Sequence, residues 1–93
     1  MEHEYSNNNT NIEHIYKHLN SEMDDCLKYI KMSNIVKNSD TELSYYLLEM
    51  AKDEYTHASF IYNYLENKNY NISEDLKNKF LEVEKEATDY FFV

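Results

Sequence analysis

LSYYLLEMAKDEYTHASFIYNYL, residues 43–65, carries apolar side chains at the three- and four-residue spacings of one helix face. That apolar stripe consists of Leu43, Leu47, Met50, Ala58, Ile61 and Leu65. Glu54 and His57 lie in the middle of the stripe and are three residues apart, so they share one side of the helix. An ionisable residue that faces a core is costly unless it has a partner. The segment therefore predicts a long helix with a polar site on its inner face.

The rest of the chain also predicts long helices, because it contains no glycine and no proline for tight turns. Residues 1–10 are polar and asparagine-rich, and we expect them to form a disordered tail. Residues 11–93 are then a single domain. Its first helix is predicted to run from near Asn11 to about Val36. The apolar residues of this helix are Ile12, Ile15, Leu19, Met23, Cys26 and Ile30.

Two further helices follow, each with a recognisable start. The second is predicted to begin at a capping box, in which Ser39 accepts from the backbone three residues on and Glu42 reaches back. It is expected to end near Asn67. The third is shorter, from about Glu74 to Tyr90, and has acidic residues in its first turn. The fold class is therefore all-α: an antiparallel two-helix hairpin plus a short C-terminal helix.

Composition limits the partners and the compartment. A chain of 93 residues is near the size at which one domain struggles to bury enough apolar surface, so we expect self-association. The formal charge of −9 repels phosphate backbones and anionic lipids, which argues against nucleic-acid or membrane partners. Cys26 is the one cysteine, and no stretch is apolar enough to span a membrane. A cytoplasmic setting fits these features.

A glutamate on the first helix is predicted to lie level with Glu54. At ~1.5 Å rise per residue, Glu54 is about 21 Å from a turn near Asp40, and the same height on the first helix falls near residue 24. Glu22 is within one turn of that height and interrupts the apolar face of its own helix. Two polar interruptions therefore meet at one level of the hairpin.

Glu22, Glu54 and His57 would form half of a metal site. An inward Glu-x-x-His pair with a further Glu from a facing helix is typical of carboxylate-bridged di-metal sites in four-helix bundles. A two-fold dimer would complete the bundle and the ligand set. The ligands suit iron or manganese, and zinc is not excluded. The alternative is a buried polar network that fixes the register of a plain bundle, and His14 with His18 is a weaker second candidate metal site.

The same residues carry a resemblance to known proteins. Glu22 followed by Glu54-x-x-His57, with Asp53 before and Ala58 after, resembles the ferritin-like superfamily and its rubrerythrin-type helices. The half-bundle is most similar to the encapsulated ferritin family. That resemblance implies dimers arranged in a ring, such as a pentamer of dimers, and a di-iron ferroxidase centre across each dimer interface. It also implies that the protein acts inside an encapsulin shell.

The resemblance assigns roles to five positions, which are the ligands Glu22, Glu54 and His57, the iron-entry residue Asp24 and the site-flanking Tyr29. There are departures from the family pattern. Lys28 stands where the family has a tryptophan, Ser21 stands where it has an acidic entry residue, and no Gly/Leu-rich targeting extension is recognisable after Tyr90. These departures concern the entry route and the shell more than the metal ligands.

The function implied is oxidation of Fe(II) to Fe(III), for iron storage or detoxification, with two Fe ions per dimer interface and with the protein as encapsulin cargo. Two other functions stay open. One is a non-enzymatic helical self-association module in which the same residues lock a dimer register. The other is a rubrerythrin-like, peroxide-reducing di-metal protein, which the sequence favours less because it has no cysteine-rich electron-donor domain.

Overall fold

A computed structural model shows three α-helices: α1 (Glu2–Val36), α2 (Thr41–Asn67) and α3 (Glu74–Phe91). The structure describes the backbone of residues 2–91 and the side chains of residues 12–91. No β-strand occurs within these bounds. The predicted all-α class and the order of two long helices and one shorter helix are confirmed.

Helix α1 ends at Val36, as predicted, but it begins at Glu2 rather than near Asn11. The backbone of residues 2–10, which we expected to be a disordered tail, is helical. The physical reason is that nothing in this segment breaks a helix. It contains neither glycine nor proline, so the i to i−4 hydrogen bonds can continue towards the N-terminus.

The start of α2 differs by one residue from the predicted capping box. Asp40 is the N-cap, and its Oδ1 accepts a hydrogen bond of 3.0 Å from the Leu43 backbone N–H. The Ser39 hydroxyl instead donates to the Val36 carbonyl, at 3.2 Å. The predicted role of Ser39 is therefore wrong. Asp40 is the residue whose side chain reaches a free N–H of the first turn.

Helix α2 ends without a glycine, although glycine is the usual residue at such an end. Asn69 takes the left-handed conformation, with φ of 62°, which asparagine tolerates better than most residues. The backbone N–H of Tyr70 bonds to the Leu65 carbonyl and that of Asn69 to the Glu66 carbonyl. This is a Schellman ending, and it turns the chain towards α3.

Helices α1 and α2 pack against each other along most of their length as an antiparallel hairpin. Near the turn, the hydroxyls of Ser33 and Ser44 lie 2.7 Å apart, and each donates to the other residue's backbone carbonyl. A buried cluster of mainly apolar side chains fills the centre. Its fully or nearly fully buried members include Leu19, Met23, Cys26, Ala51, Ala58, Leu65 and Val83.

Helix α3 covers one side of the hairpin. Phe80 stacks on Tyr62 of α2, with ring centroids 4.0 Å apart and planes inclined by 4°. Lys79 forms an ion pair with Asp24 of α1, with Nζ and Oδ1 2.5 Å apart. The third helix is therefore fixed to both helices of the hairpin by aromatic packing and by a charged contact.

The opposite side of the hairpin has no covering element among the described residues. Part of the predicted apolar stripe lies there, since Leu43 and Met50 are exposed and not buried as the periodicity indicated. Phe60 is 74% exposed. We call this surface the open face and define it by Ile15, Leu43, Met50, His57, Phe60 and Tyr64. Periodicity identified an apolar face correctly, but three helices are too few to cover it.

Replacing Asp40 with alanine is expected to lower the free energy of unfolding by about 1 kcal/mol, because one N–H of the first turn of α2 loses its acceptor. Urea unfolding followed by circular dichroism, at fixed protein concentration, measures the change. Ser39→Ala is the matched control and is expected to have a smaller effect. If Ser39→Ala lowered the free energy of unfolding more than Asp40→Ala, Ser39 would be the N-cap, as the sequence predicted.

Candidate metal centre

Glu22 of α1 lies beside Glu54 and His57 of α2. Each of the three offers one ligand atom, and these atoms all lie within 4.8 Å of one another. The prediction that Glu22 is level with Glu54 is therefore confirmed. The juxtaposition arises because two antiparallel helices bring equal distances from their shared turn to the same height.

The three side chains form a gradient from the core to the solvent. Exposure of the side chain rises from 7% for Glu22 to 22% for Glu54 and 59% for His57. The expectation that His57 faces the core is thus corrected, since its imidazole belongs to the open face. The imidazole Nδ1 lies 2.9 Å from Glu22 Oε2 and 3.5 Å from Glu54 Oε1, so it connects both carboxylates.

The second oxygen of Glu22 has no hydrogen bond. Glu22 Oε1 is buried and lacks a hydrogen-bond partner. His18 Nε2 approaches it to 3.4 Å, within ion-pair distance but without hydrogen-bond geometry. A buried carboxylate oxygen without a partner is costly. Such an oxygen, beside a second carboxylate and an imidazole, fits a divalent cation such as iron or manganese, with zinc also compatible.

Asp25 is a functional neighbour that the sequence analysis missed. Burial raises the pKa of the Glu54 carboxyl, and the charges of Glu22 and Asp25 raise it further. Asp25 also favours the protonated form of Glu54, because only a protonated carboxyl can donate a hydrogen bond to the neighbouring carboxylate, whereas the contact with His57 lowers the pKa. The signal was available, because Asp25 follows Glu22 by three residues and so shares its side of α1.

The two positions assigned only by resemblance lie outside the ligand group. Asp24 is paired with Lys79 of α3, on the covered side of the hairpin. Tyr29 is partly buried against the core cluster, with Lys28 Nζ 5.3 Å from its ring centroid. An entry role for Asp24 and a flanking role for Tyr29 remain predictions.

Cys26 is a core residue, as the sequence indicated. Its side chain is fully buried. Burial raises the pKa of its thiol to about 12, and the charges of Glu54 and Glu86 contribute in the same direction. Because metals bind the thiolate, a thiol that stays protonated at neutral pH is a poor ligand. The atoms that the three-residue cluster offers to a metal are therefore carboxylate oxygens and an imidazole nitrogen.

The family model described as Rubrerythrin matches residues 4–91, nearly the whole chain. No curated protein and no solved structure matches the chain significantly. Over residues 2–91, none of the helices is long and apolar enough to cross a membrane.

Glu54→Gln is expected to stabilise the metal-free protein at neutral pH. The pKa of Glu54 in the folded chain lies above its ordinary 4.5, so its ionisation opposes folding at neutral pH. That penalty shrinks as the pH falls towards 4.5 and vanishes below it, where folded and unfolded chains both hold the proton. The advantage of the variant must therefore shrink on acidification.

Urea unfolding with a chelator present, at neutral pH and near pH 4.5, measures this effect. Glu49→Gln is the matched control, because Glu49 is an exposed carboxylate on the same helix. It is expected to change stability little at either pH. A Glu54→Gln protein no more stable than wild type at neutral pH would contradict the electrostatic account of the centre.

Proposed function

The chain belongs to the rubrerythrin family, and from that premise we propose that it oxidises Fe(II) to Fe(III) at a di-iron site formed across a dimer interface. Family membership supports the ferritin-like resemblance at the level of the superfamily. The narrower similarity to the encapsulated ferritins remains part of the proposal, together with a role in iron storage or detoxification.

The observation that carries the proposal is that three ligand-type side chains meet at one place and that the outermost, His57, belongs to the open face. Glu22, Glu54 and His57 supply two carboxylates and one imidazole, which leaves a cation short of ligands. Two copies related by a two-fold axis would bring together four carboxylates and two imidazoles. That is the ligand type of the di-metal carboxylate bundles, in which each metal has one imidazole and bridging carboxylates.

The apolar character of the open face supports a second copy as the missing half. Met50, Phe60 and Tyr64 are all exposed there, and they lie on the same helix as Glu54 and His57. A monomeric soluble protein seldom leaves such residues grouped on one surface. Pairing two open faces would cover these side chains and enclose the metal centre in the same step.

The residues of the centre have distinct tasks in this reaction. Fe(II) is the substrate, and bound between the two chains it gives electrons to dioxygen or peroxide. Glu22 and Glu54 neutralise and hold the cations, while His57 supplies one nitrogen donor on the solvent side. The chain's charge of −9 raises the concentration of cations near its surface.

Higher assembly is part of the proposal. A ring of small dimers encloses little volume, so the Fe(III) product would need a surrounding compartment in order to accumulate. An encapsulin shell is the partner that the resemblance implies. The ring, such as a pentamer of dimers, and the shell both remain predictions.

Peroxide reduction is the second candidate function, and the match to the Rubrerythrin family model favours it. It would use the same three ligands. The oxidant distinguishes the two functions: a ferroxidase consumes dioxygen with Fe(II) as the only reductant, whereas a peroxide reductase turns over hydrogen peroxide and needs a continuing electron donor.

Glu54→Ala and His57→Ala are each expected to lower the rate of Fe(II)-dependent oxygen consumption by about 100-fold or more, since even the loss of an outer-shell partner costs roughly 10–100-fold in metal affinity or activity. An oxygen electrode and ferric absorbance measure the rate after anaerobic Fe(II) loading. Glu49→Ala is the control, and circular dichroism verifies that every variant is folded. Normal oxidation in both site variants would exclude the proposed ferroxidase.

Phe60→Asp is expected to weaken dimerisation and iron loading together, because a charge would be placed on the surface that the second copy covers. Native mass spectrometry with and without Fe(II) measures both quantities. Leu81→Asp is the matched control, since Leu81 is an equally apolar exposed residue on α3, away from the open face. A dimer that survives Phe60→Asp but not Leu81→Asp would place the interface elsewhere.

A further inference from the structure

His18 lies beside the metal centre, and the proposed function assigns it no role. Its Nε2 is 3.4 Å from Glu22 Oε1, the buried oxygen that has no hydrogen bond. His18 precedes Glu22 by four residues, so the two side chains share one face of α1. Its side chain is 62% exposed, whereas that of Glu22 is only 7% exposed.

A surface cavity connects His18 with the centre. Its lining includes His18 and Glu22 from α1 and His57 and Phe60 from α2. The two oxygens of Glu22 therefore face different imidazoles: Oε2 contacts His57, and Oε1 faces His18. A carboxylate can bind a cation through each of its oxygens. The buried Glu22 thus offers a second coordination direction, towards the exposed imidazole of His18.

We propose that His18 Nε2 and Glu22 Oε1 form a second divalent-cation position at the solvent mouth of the metal centre. It takes transition-metal cations with affinity for imidazole, such as Fe(II), Co(II) or Zn(II), in preference to Mg²⁺ or Ca²⁺. The inference rests on the proposed function for its purpose, which is to receive Fe(II) before the cation reaches Glu54. Two protein ligands leave the other coordination positions to water, so binding here is weaker and more easily exchanged than at the three-residue cluster.

The other residues considered for an entry route offer fewer ligands to a cation. Asp24 is engaged by Lys79, and Ser21 offers no carboxylate. His14 lies one turn before His18 on the same face and is also exposed. His18 is the imidazole that faces the unpaired oxygen, and this contact distinguishes the proposed site from a simple His14–His18 chelate.

Anaerobic Co(II) titration of the full chain by calorimetry tests the proposal, with wild type, His18→Ala, His14→Ala and His57→Ala compared. Wild type is expected to show a tighter and a weaker binding step. His18→Ala is expected to lose the weaker step or weaken it about tenfold or more, a change of at least ~1.4 kcal/mol. His14→Ala is the matched control and is expected to keep both steps. Excess Mg²⁺ is expected to leave the weaker step in place.

A second readout locates the cation without reference to activity. Co(II) at the weaker step is expected to broaden the NMR signals of the His18 imidazole while those of the His14 imidazole persist. Unchanged binding in His18→Ala would overturn the proposal. Equal losses in His14→Ala and His18→Ala would also overturn it, by showing a chelate between the two histidines.

The titration separates this inference from the proposed function. His57→Ala is expected to impair the tighter step and to retain the weaker one at His18. If His57→Ala leaves both Co(II) binding and iron oxidation unchanged while His18→Ala removes a step, the proposed ferroxidase fails and the His18 site stands. If His57→Ala abolishes oxidation while His18→Ala binds Co(II) as wild type does, the proposed ferroxidase stands and the His18 site fails.

Discussion

The arrangement of the other residues at the centre depends on the burial of the Glu22 carboxylate. One of its oxygens is bonded to His57, and the other is buried without a hydrogen bond. A buried charge requires a partner. Glu54 and Asp25 stand close by and add negative charge; burial raises the pKa of Glu54, and the charges of Glu22 and Asp25 raise it further. In the proposed site a cation supplies the compensating positive charge, and it approaches from the open face, where the His57 imidazole is exposed.

The position of α3 decides which side of the hairpin remains open. The stacking of Phe80 on Tyr62 and the ion pair between Lys79 and Asp24 hold α3 on the side away from His57. The other side keeps exposed apolar residues together with the solvent end of the metal centre. The same surface therefore gives cations access in the single chain and, in the proposed dimer, contacts the second copy. In the proposed dimer, the same contact covers the metal site and buries the apolar residues of the open face.

Helix geometry explains which parts of the site could be predicted from the sequence. The meeting of Glu22 with Glu54 and His57 depends on rise and periodicity, which are nearly the same in every helix. The position of the N-cap of α2 depends on the local path of a short turn. The prediction therefore placed it at Ser39, one residue before Asp40. The exposure of Met50 was missed for another reason: periodicity identifies an apolar face but not whether anything covers it. Asp25 was overlooked because only interruptions of the apolar stripe were considered as ligands.

Attraction and selection of cations are separate properties of this chain. The net charge of −9 draws in all divalent cations alike, because long-range electrostatics does not distinguish Mg²⁺ from Fe(II). Carboxylates alone would add little discrimination, since they suit Mg²⁺ and Ca²⁺ as well. Imidazoles favour transition metals, and the two that face Glu22, from His18 and His57, are the exposed members of the group. In the proposed site, nitrogen donors at the mouth therefore select among the cations that the acidic surface has gathered, before any of them reaches the buried carboxylates.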